Sequence, residues 1–204
     1  MTKWITAVLL VLVSGLGSIP VGAVEPGEPP TEQQSINVRT TMSAGGAASL
    51  PYEHLGDYTS TPGETEHAFL IRMGPVFRAF ADRTTEEACA EIGATADSTS
   101  WGLVVGTNHS HLGCVIDSAH VLPGMTATGV TIHTHGKKRW NFDLSAIDRE
   151  LTGMPTDGHP HRIQGENVDH FSPTDFATGP GYLTTPTGLL YQAGKPGTEV
   201  AVAP

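Results

Sequence analysis

The residues most able to do chemistry in this chain are its histidines. There are ten in 204 residues, and three pairs have the form His-x-His: His109/His111, His133/His135 and His159/His161. In a strand, residues i and i+2 project from the same face. Two imidazoles so placed can share one zinc ion, each about 2.0–2.1 Å from it. Context separates the three pairs. His133 and His135 end Gly129-Val130-Thr131-Ile132-His133-Thr134-His135, the segment with the best strand composition, and Gly136 follows. His109 and His111 lie in residues 107–113, which have turn character. His159 and His161 flank Pro160 in a polar, irregular stretch. The middle pair is therefore the preferred ligand pair.

A third ligand and a proton acceptor are needed for hydrolytic chemistry. Ser172-Pro173-Thr174-Asp175 offers an acid. The plain reading is a helix start, with Ser172 as N-cap and Pro173 at the first helical position. A helix start can also present Asp175 to a metal while the serine hydroxyl faces the same cleft. Glu87 lies in Thr84-Thr85-Glu86-Glu87. Its plain reading is a capping box with Thr84 as the cap, and its other use is as a base.

Taken in order, Glu87-Ala88-Cys89-Ala90, His133-Thr134-His135 and Ser172-Pro173-Thr174-Asp175 resemble the pattern of the JAB/MPN (JAMM) metallopeptidases. The resemblance runs from Thr84 to Gln192. Residues 171–183 also resemble JAB-like domains of bacterial secreted proteins and toxins. The chain departs from the pattern in having Ala90 where the glutamate motif has Gly, and Gly136 where Pro is common. It also has a long insertion, 136–170, before the aspartate. The resemblance implies a Zn2+ ion held by His133, His135 and Asp175, with a fourth position open to water as in catalytic sites. It implies Glu87 as the group that takes and returns a proton and Ser172 as a donor to the oxyanion. The implied reaction is hydrolysis of an amide, peptide or isopeptide bond.

These residues need elements to position them. Phe69, Leu70, Met73, Val76, Phe77 and Phe80 recur at helical spacing, which predicts a helix over 64–80 with a kink or break at Gly74-Pro75. Residues 87–95 read as a strand or short helix, 101–105 as a strand, and 113–121 as a further candidate strand. A short helix is expected around 144–151. Residues 182–185 and 189–192 flank Pro186-Thr187-Gly188 as a hairpin, and 199–202 form the last strand. This order predicts an α/β or α+β fold, a JAB/MPN-like mixed sheet flanked by helices. The folded domain is expected to span 63–204, preceded by a flexible tail over 24–62. The insertion 136–170 is expected to act as a lid.

Residues 1–23 set the expected compartment. Lys3, an apolar run over 4–13, small residues and Val21-Gly22-Ala23 form the pattern of an export signal cleaved after Ala23. The apolar run is shorter than the roughly 20 residues of a membrane span, so no stable anchor is expected after cleavage. A periplasmic or extracellular location follows. There, the pair Cys89 and Cys114 is expected to form one disulfide; neither cysteine has the Cys-x-x-Cys spacing of a metal site. The net charge of −10 disfavours nucleic acid and anionic lipid as partners. Peptide or protein substrates, cell-wall (peptidoglycan) stem peptides among them, suit the compartment. A zinc nucleobase deaminase is strongly disfavoured by the lack of His-x-Glu and Pro-Cys-x-x-Cys and by the acidic charge. Two non-catalytic alternatives stand beside the hydrolase: a JAB-like scaffold domain, and a His-rich metal-binding protein of the envelope using all three pairs.

Overall fold

A computed structural model describes residues 35–42, 46–115, 117, 120–136, 141–153, 162–164 and 168–203. The expected export signal and the pair His159/His161 lie outside the described residues. The chain forms β1 (Ser35–Met42), β2 (Gly46–Thr59), α1 (Glu66–Thr84), β3 (Ala88–Ala94), β4 (Trp101–Thr107) and β5 (Thr126–Thr134). Then follow β6 (Asn141–Asp143), α2 (Ala146–Thr152), β7 (Arg162–Gln164), α3 (Pro173–Thr178), β8 (Pro180–Thr185), β9 (Gly188–Ala193) and β10 (Val200–Ala203). Eight strands make one sheet in the order β1-β2-β4-β3-β5-β8-β9-β10, and β6 and β7 pair separately. All neighbours in the large sheet are antiparallel except β5 and β8, which are parallel. The mixed sheet with helices agrees with the expected α/β or α+β class.

The apolar face of α1 packs on one side of this sheet. Phe69, Leu70, Met73 and Phe77 are buried against Ile92, Leu103, Val105, Ile132 and Tyr182. Thr65 caps the helix by accepting from the Ala68 amide, and Thr85 ends it in the left-handed region. The helix runs through Gly74-Pro75 as one element instead of dividing there. Pro75 sits on the exposed side, away from the sheet that α1 must follow.

Two expectations are corrected. The sheet begins well upstream of Gly63, since β2 pairs with β4 along residues 53–59. Leu50 and Tyr52 are fully buried, so this part of the expected tail belongs to the domain. A bulge between His54 and Gly56 interrupts the two-residue alternation that would have marked β2 as a strand. The second correction concerns residues 113–121, whose described members form no strand. Cys114 instead sits in a loop, bonded to Cys89 across a Cα–Cα distance of 5.8 Å. The insertion carries β6, α2 and β7, with α2 close to the helix expected around 144–151.

Tyr52 explains one glycine. Its ring lies against β4 at Gly106, where an added Cβ would come 2.1 Å from Tyr52 Cε2. Gly106→Ala should therefore destabilise the protein by about 1–3 kcal/mol, the usual cost of overpacking a filled core. A urea titration should show a lower midpoint at unchanged slope. An unaltered midpoint would show that Tyr52 is not held against β4.

Candidate metal centre

Strand β5 becomes buried only at its end, at Ile132, His133 and Thr134. Ile132 faces α1 in the core, so the alternation of a strand sends His133 to the opposite face. There it meets the ring of Phe171 at 6.0 Å between centroids. His135 follows just past the strand. Its main chain is held from the other side of the sheet by Arg78 of α1, a buried cation. Arg78 Nη1 donates to Thr134 Oγ1 at 2.8 Å and to the His135 carbonyl at 2.9 Å. Arg78 Nη2 donates to Asp82 at 2.9 Å. Gly136 lets the chain leave the site: an added Cβ would lie 2.3 Å from the Thr85 carbonyl oxygen.

Asp175 arrives from α3, where the plain reading of the motif also holds. Ser172 is the N-cap, the Asp175 amide donates to Ser172 Oγ at 3.3 Å, and the Ser172 amide donates to Asp175 Oδ2 at 2.6 Å. The same carboxylate meets both histidines. Asp175 Oδ1 is 3.4 Å from His133 Nε2, and Oδ2 is 3.3 Å from His135 Nε2. The two Nε2 atoms are 3.3 Å apart. One ligand atom from each of the three side chains lies within 4.8 Å of the others, a convergence on which a single metal ion can draw. Two imidazoles and one carboxylate are also a donor set that zinc accepts. Burial works against the Asp175 charge, but the bonds from His133 and His135 outweigh it and hold the carboxyl far below its usual range. Burial pushes His133 down, toward the neutral form that ligates metals, although Asp175 opposes this. Gln192, nearly fully buried, donates to the carbonyls of Asp175 and Gly179 at 3.2 and 2.6 Å. It thereby ties α3 to β9. Nothing in the sequence singled out Gln192 or Arg78, beyond the oddity of a cation on the apolar face of α1.

Glu87 lies where α1 gives way to β3. Thr84 is the last residue of α1, so no helix starts there and the capping reading of Thr84 and Glu87 fails. The Glu87 amide donates to the Ser110 carbonyl at 2.8 Å, and its carbonyl accepts from Thr107 Oγ1 at 2.7 Å. Its side chain is buried. Burial pushes the carboxyl up to about 8; the charge of His135 opposes this, and those of Asp175 and Asp148 add to it. A cation held by the triad would favour the ionised form. The disulfide at Cys89 fixes the strand just beyond.

The other histidine pair in view is engaged differently. His109 lies between Glu53 Oε2 at 2.8 Å and Glu86 Oε2 at 3.0 Å. His111 Nδ1 is 3.0 Å from Asp148 Oδ2. Among the described residues, only His133, His135 and Asp175 form a group of three converging ligand atoms, all within 4.8 Å of one another. The chain matches no family model, no curated protein and no solved structure.

Two measurements test this geometry. Lysine cannot reproduce the two bonds that Arg78 Nη1 makes to the end of β5 while its Nη2 holds Asp82. Arg78→Lys should weaken zinc binding about tenfold or more, as loss of groups that orient ligands does, in a competition titration with a chelator. Unchanged affinity would remove Arg78 from the site. The second test uses pH. A carboxyl whose folded pKa is raised favours folding below its unfolded pKa and loses that stabilisation as pH rises to the folded value. Metal-free wild type should therefore lose thermal stability relative to Glu87→Gln between about pH 4.5 and 8. At about 2–4 °C per kcal/mol, the gap should reach several degrees. A gap independent of pH would contradict the burial of an ionisable Glu87.

Proposed function

We propose that this chain is an exported zinc-dependent hydrolase of the JAB/MPN kind that cleaves an amide, peptide or isopeptide bond. The observation that carries the reading is the convergence of His133, His135 and Asp175, whose ligand atoms lie within 4.8 Å of one another. A buried Glu87 lies close enough to feel His135 and Asp175. Zinc, when bound, supplies Lewis acidity and makes water a nucleophile near neutral pH. Glu87 would take a proton from the attacking water and return it to the departing amine nitrogen. Ser172 uses its oxygen to cap α3, but a hydroxyl that accepts keeps its own proton to donate. That proton is directed to the oxygen of the substrate carbonyl as negative charge develops there. Phe171 packs against His133 and shields one side of the site from water. The Cys89–Cys114 disulfide is in keeping with an oxidising compartment. Peptides of the cell wall or secreted proteins are the substrates proposed for it.

The test begins with metal content. Purified protein should carry about one zinc ion per chain, as one three-ligand site requires. His133→Ala, His135→Ala or Asp175→Ala should each abolish it by elemental analysis. Glu87→Gln should keep the ion and lose release of peptides from purified cell wall or from a casein substrate by at least about a hundredfold, within the range for a lost acid–base group. Normal zinc content in a variant lacking all three ligands would overturn the site. A zinc-loaded protein inactive on every peptide offered would leave a metal-binding protein without this chemistry.

A further inference from the structure

The face of the sheet that carries α1 has a cleft of its own. Register partners on this face run Ile132, Tyr182, Tyr191, Val200 across β5, β8, β9 and β10. His133, next to Ile132 in the chain, projects from the opposite face. Ile132 and Tyr182 are buried in the core beneath α1. The helix packs on β3, β5, β8 and β9, while the edge strand β10 carries the floor outward, and Val200 there is 54 % exposed. Between the first turn of α1 and this edge lies a cleft of about 540 Å³. Glu66 and His67 of α1 line it together with Val130, Tyr182, Tyr191 and Val202. Clefts of about 300–1,000 Å³ suit small organic ligands.

The chemistry of the lining selects among such ligands. The two phenol rings have centroids 4.9 Å apart and planes inclined at 51°, so they meet at an angle instead of stacking face to face. His67 meets Tyr182 in a T-shaped contact at 6.0 Å. Glu66 brings the one carboxylate of the lining. The Tyr182 hydroxyl donates to its Oε1 at a long 3.4 Å. The arginines of α1 do not neutralise it: Arg72 is paired with Glu64 and Arg78 with Asp82. Among the described residues no lysine or arginine pairs with Glu66. A helix N-terminus favours an anion, but here Glu66 already occupies the first turn. The charge still to be matched is therefore that of a cation. A metal ion needs several converging oxygen or nitrogen ligands, and these walls are largely apolar. Tyrosine rings attract organic ammonium groups instead.

We propose that this cleft binds an organic ammonium group, a primary or methylated amine on a short apolar chain, with Glu66 as its counter-ion and Tyr182 and Tyr191 as the aromatic wall. The apolar chain rests along Val130 and Val202. The proposal is independent of the metal reading, since the two sites lie on opposite faces of the sheet.

The test compares butylammonium with butan-1-ol, two probes of nearly the same shape that differ in charge. Saturation-transfer NMR on the full chain reports the binding of each through the probe's own protons. Butylammonium should bind more tightly than butan-1-ol by about tenfold or more, the value of a hydrogen bond to a charged group. Glu66→Gln should remove that preference. Tyr191→Leu keeps the carboxylate and an apolar wall. It should weaken butylammonium about two- to fivefold, as loss of one cation–π contact does, and leave butan-1-ol within about twofold. Val200→Lys puts an ammonium of the chain's own on an exposed edge strand, where lysine is well tolerated. It should displace butylammonium, and it carries the test if Glu66→Gln does not fold. Equal affinity of the wild type for the two probes would overturn the proposal, showing an apolar cleft and no cation site. So would undiminished butylammonium binding in folded Glu66→Gln, or in Val200→Lys if that variant alone folds. Zinc content should be the same in all of these variants as in the wild type, and a wild type without zinc would overturn the metal reading alone.

Discussion

The site depends on one pairing, the parallel alignment of β5 with β8. Thr131, Ile132, His133 and Thr134 sit opposite Gly181, Tyr182, Leu183 and Thr184. Parallel neighbours cannot be joined by a tight turn, so the chain must travel back along the sheet before β8 begins. That return carries the whole insertion, and it ends in α3, which brings Asp175 onto the histidines before the chain re-enters the sheet at Pro180. The approach of the two strands is close: an added Cβ at Gly181 would lie 3.0 Å from Thr131 Oγ1. The antiparallel β8–β9 hairpin then secures the arrangement from its far side, through the bonds from Gln192 to the carbonyls around α3.

One local device serves twice. Ser145 with Asp148 and Ser172 with Asp175 are both capping boxes. In each, the aspartate starts its own helix and also reaches a distant histidine. The cap costs the chain nothing extra in conformational freedom, because the first helical turn already fixes the carboxylate. Each short helix can therefore aim a charged oxygen at a neighbouring strand or loop with little further ordering. The desolvation cost is met by several donors per carboxylate, which is the condition under which a buried acid stays ionised.

Much of this was legible in the sequence, for physical reasons. The His-x-His spacing carries its own geometry once the segment is a strand, and the valine, isoleucine and threonine before it fixed that. The Ser172–Asp175 spacing was equally local. Glu87 was different: local reasoning left a helix cap and a base equally open, and only its place in the ordered pattern pointed to the second; its side chain is buried. The family resemblance itself rests on those motif residues alone. Strand β2 was missed because the Gly45-Gly46 pair at its start and the bulge between His54 and Gly56 obscure its alternation. Arg78 and Gln192 were missed because their partners are backbone carbonyls far away in sequence, and no spacing rule reports such bonds. Asp148 could be placed on a helix but not joined to His111, for the same reason.

The two-residue period that brings His133 and His135 together also makes the fold sensitive to how it forms. A shift of one residue in the pairing of β5 would exchange its two faces. Both imidazoles would then point at the aromatic side chains of α1, and Ile132 and Thr134 would face α3. Such an intermediate would keep all its ladder hydrogen bonds while burying two polar rings without partners, so nothing in the backbone alone would reject it. What rejects it is the cost of those unpartnered rings together with the loss of the grip of Arg78 on Thr134 Oγ1 and the His135 carbonyl. The clamp thus adds a check on assembly: its bonds reward the sheet for closing on α1 with the strand the right way up.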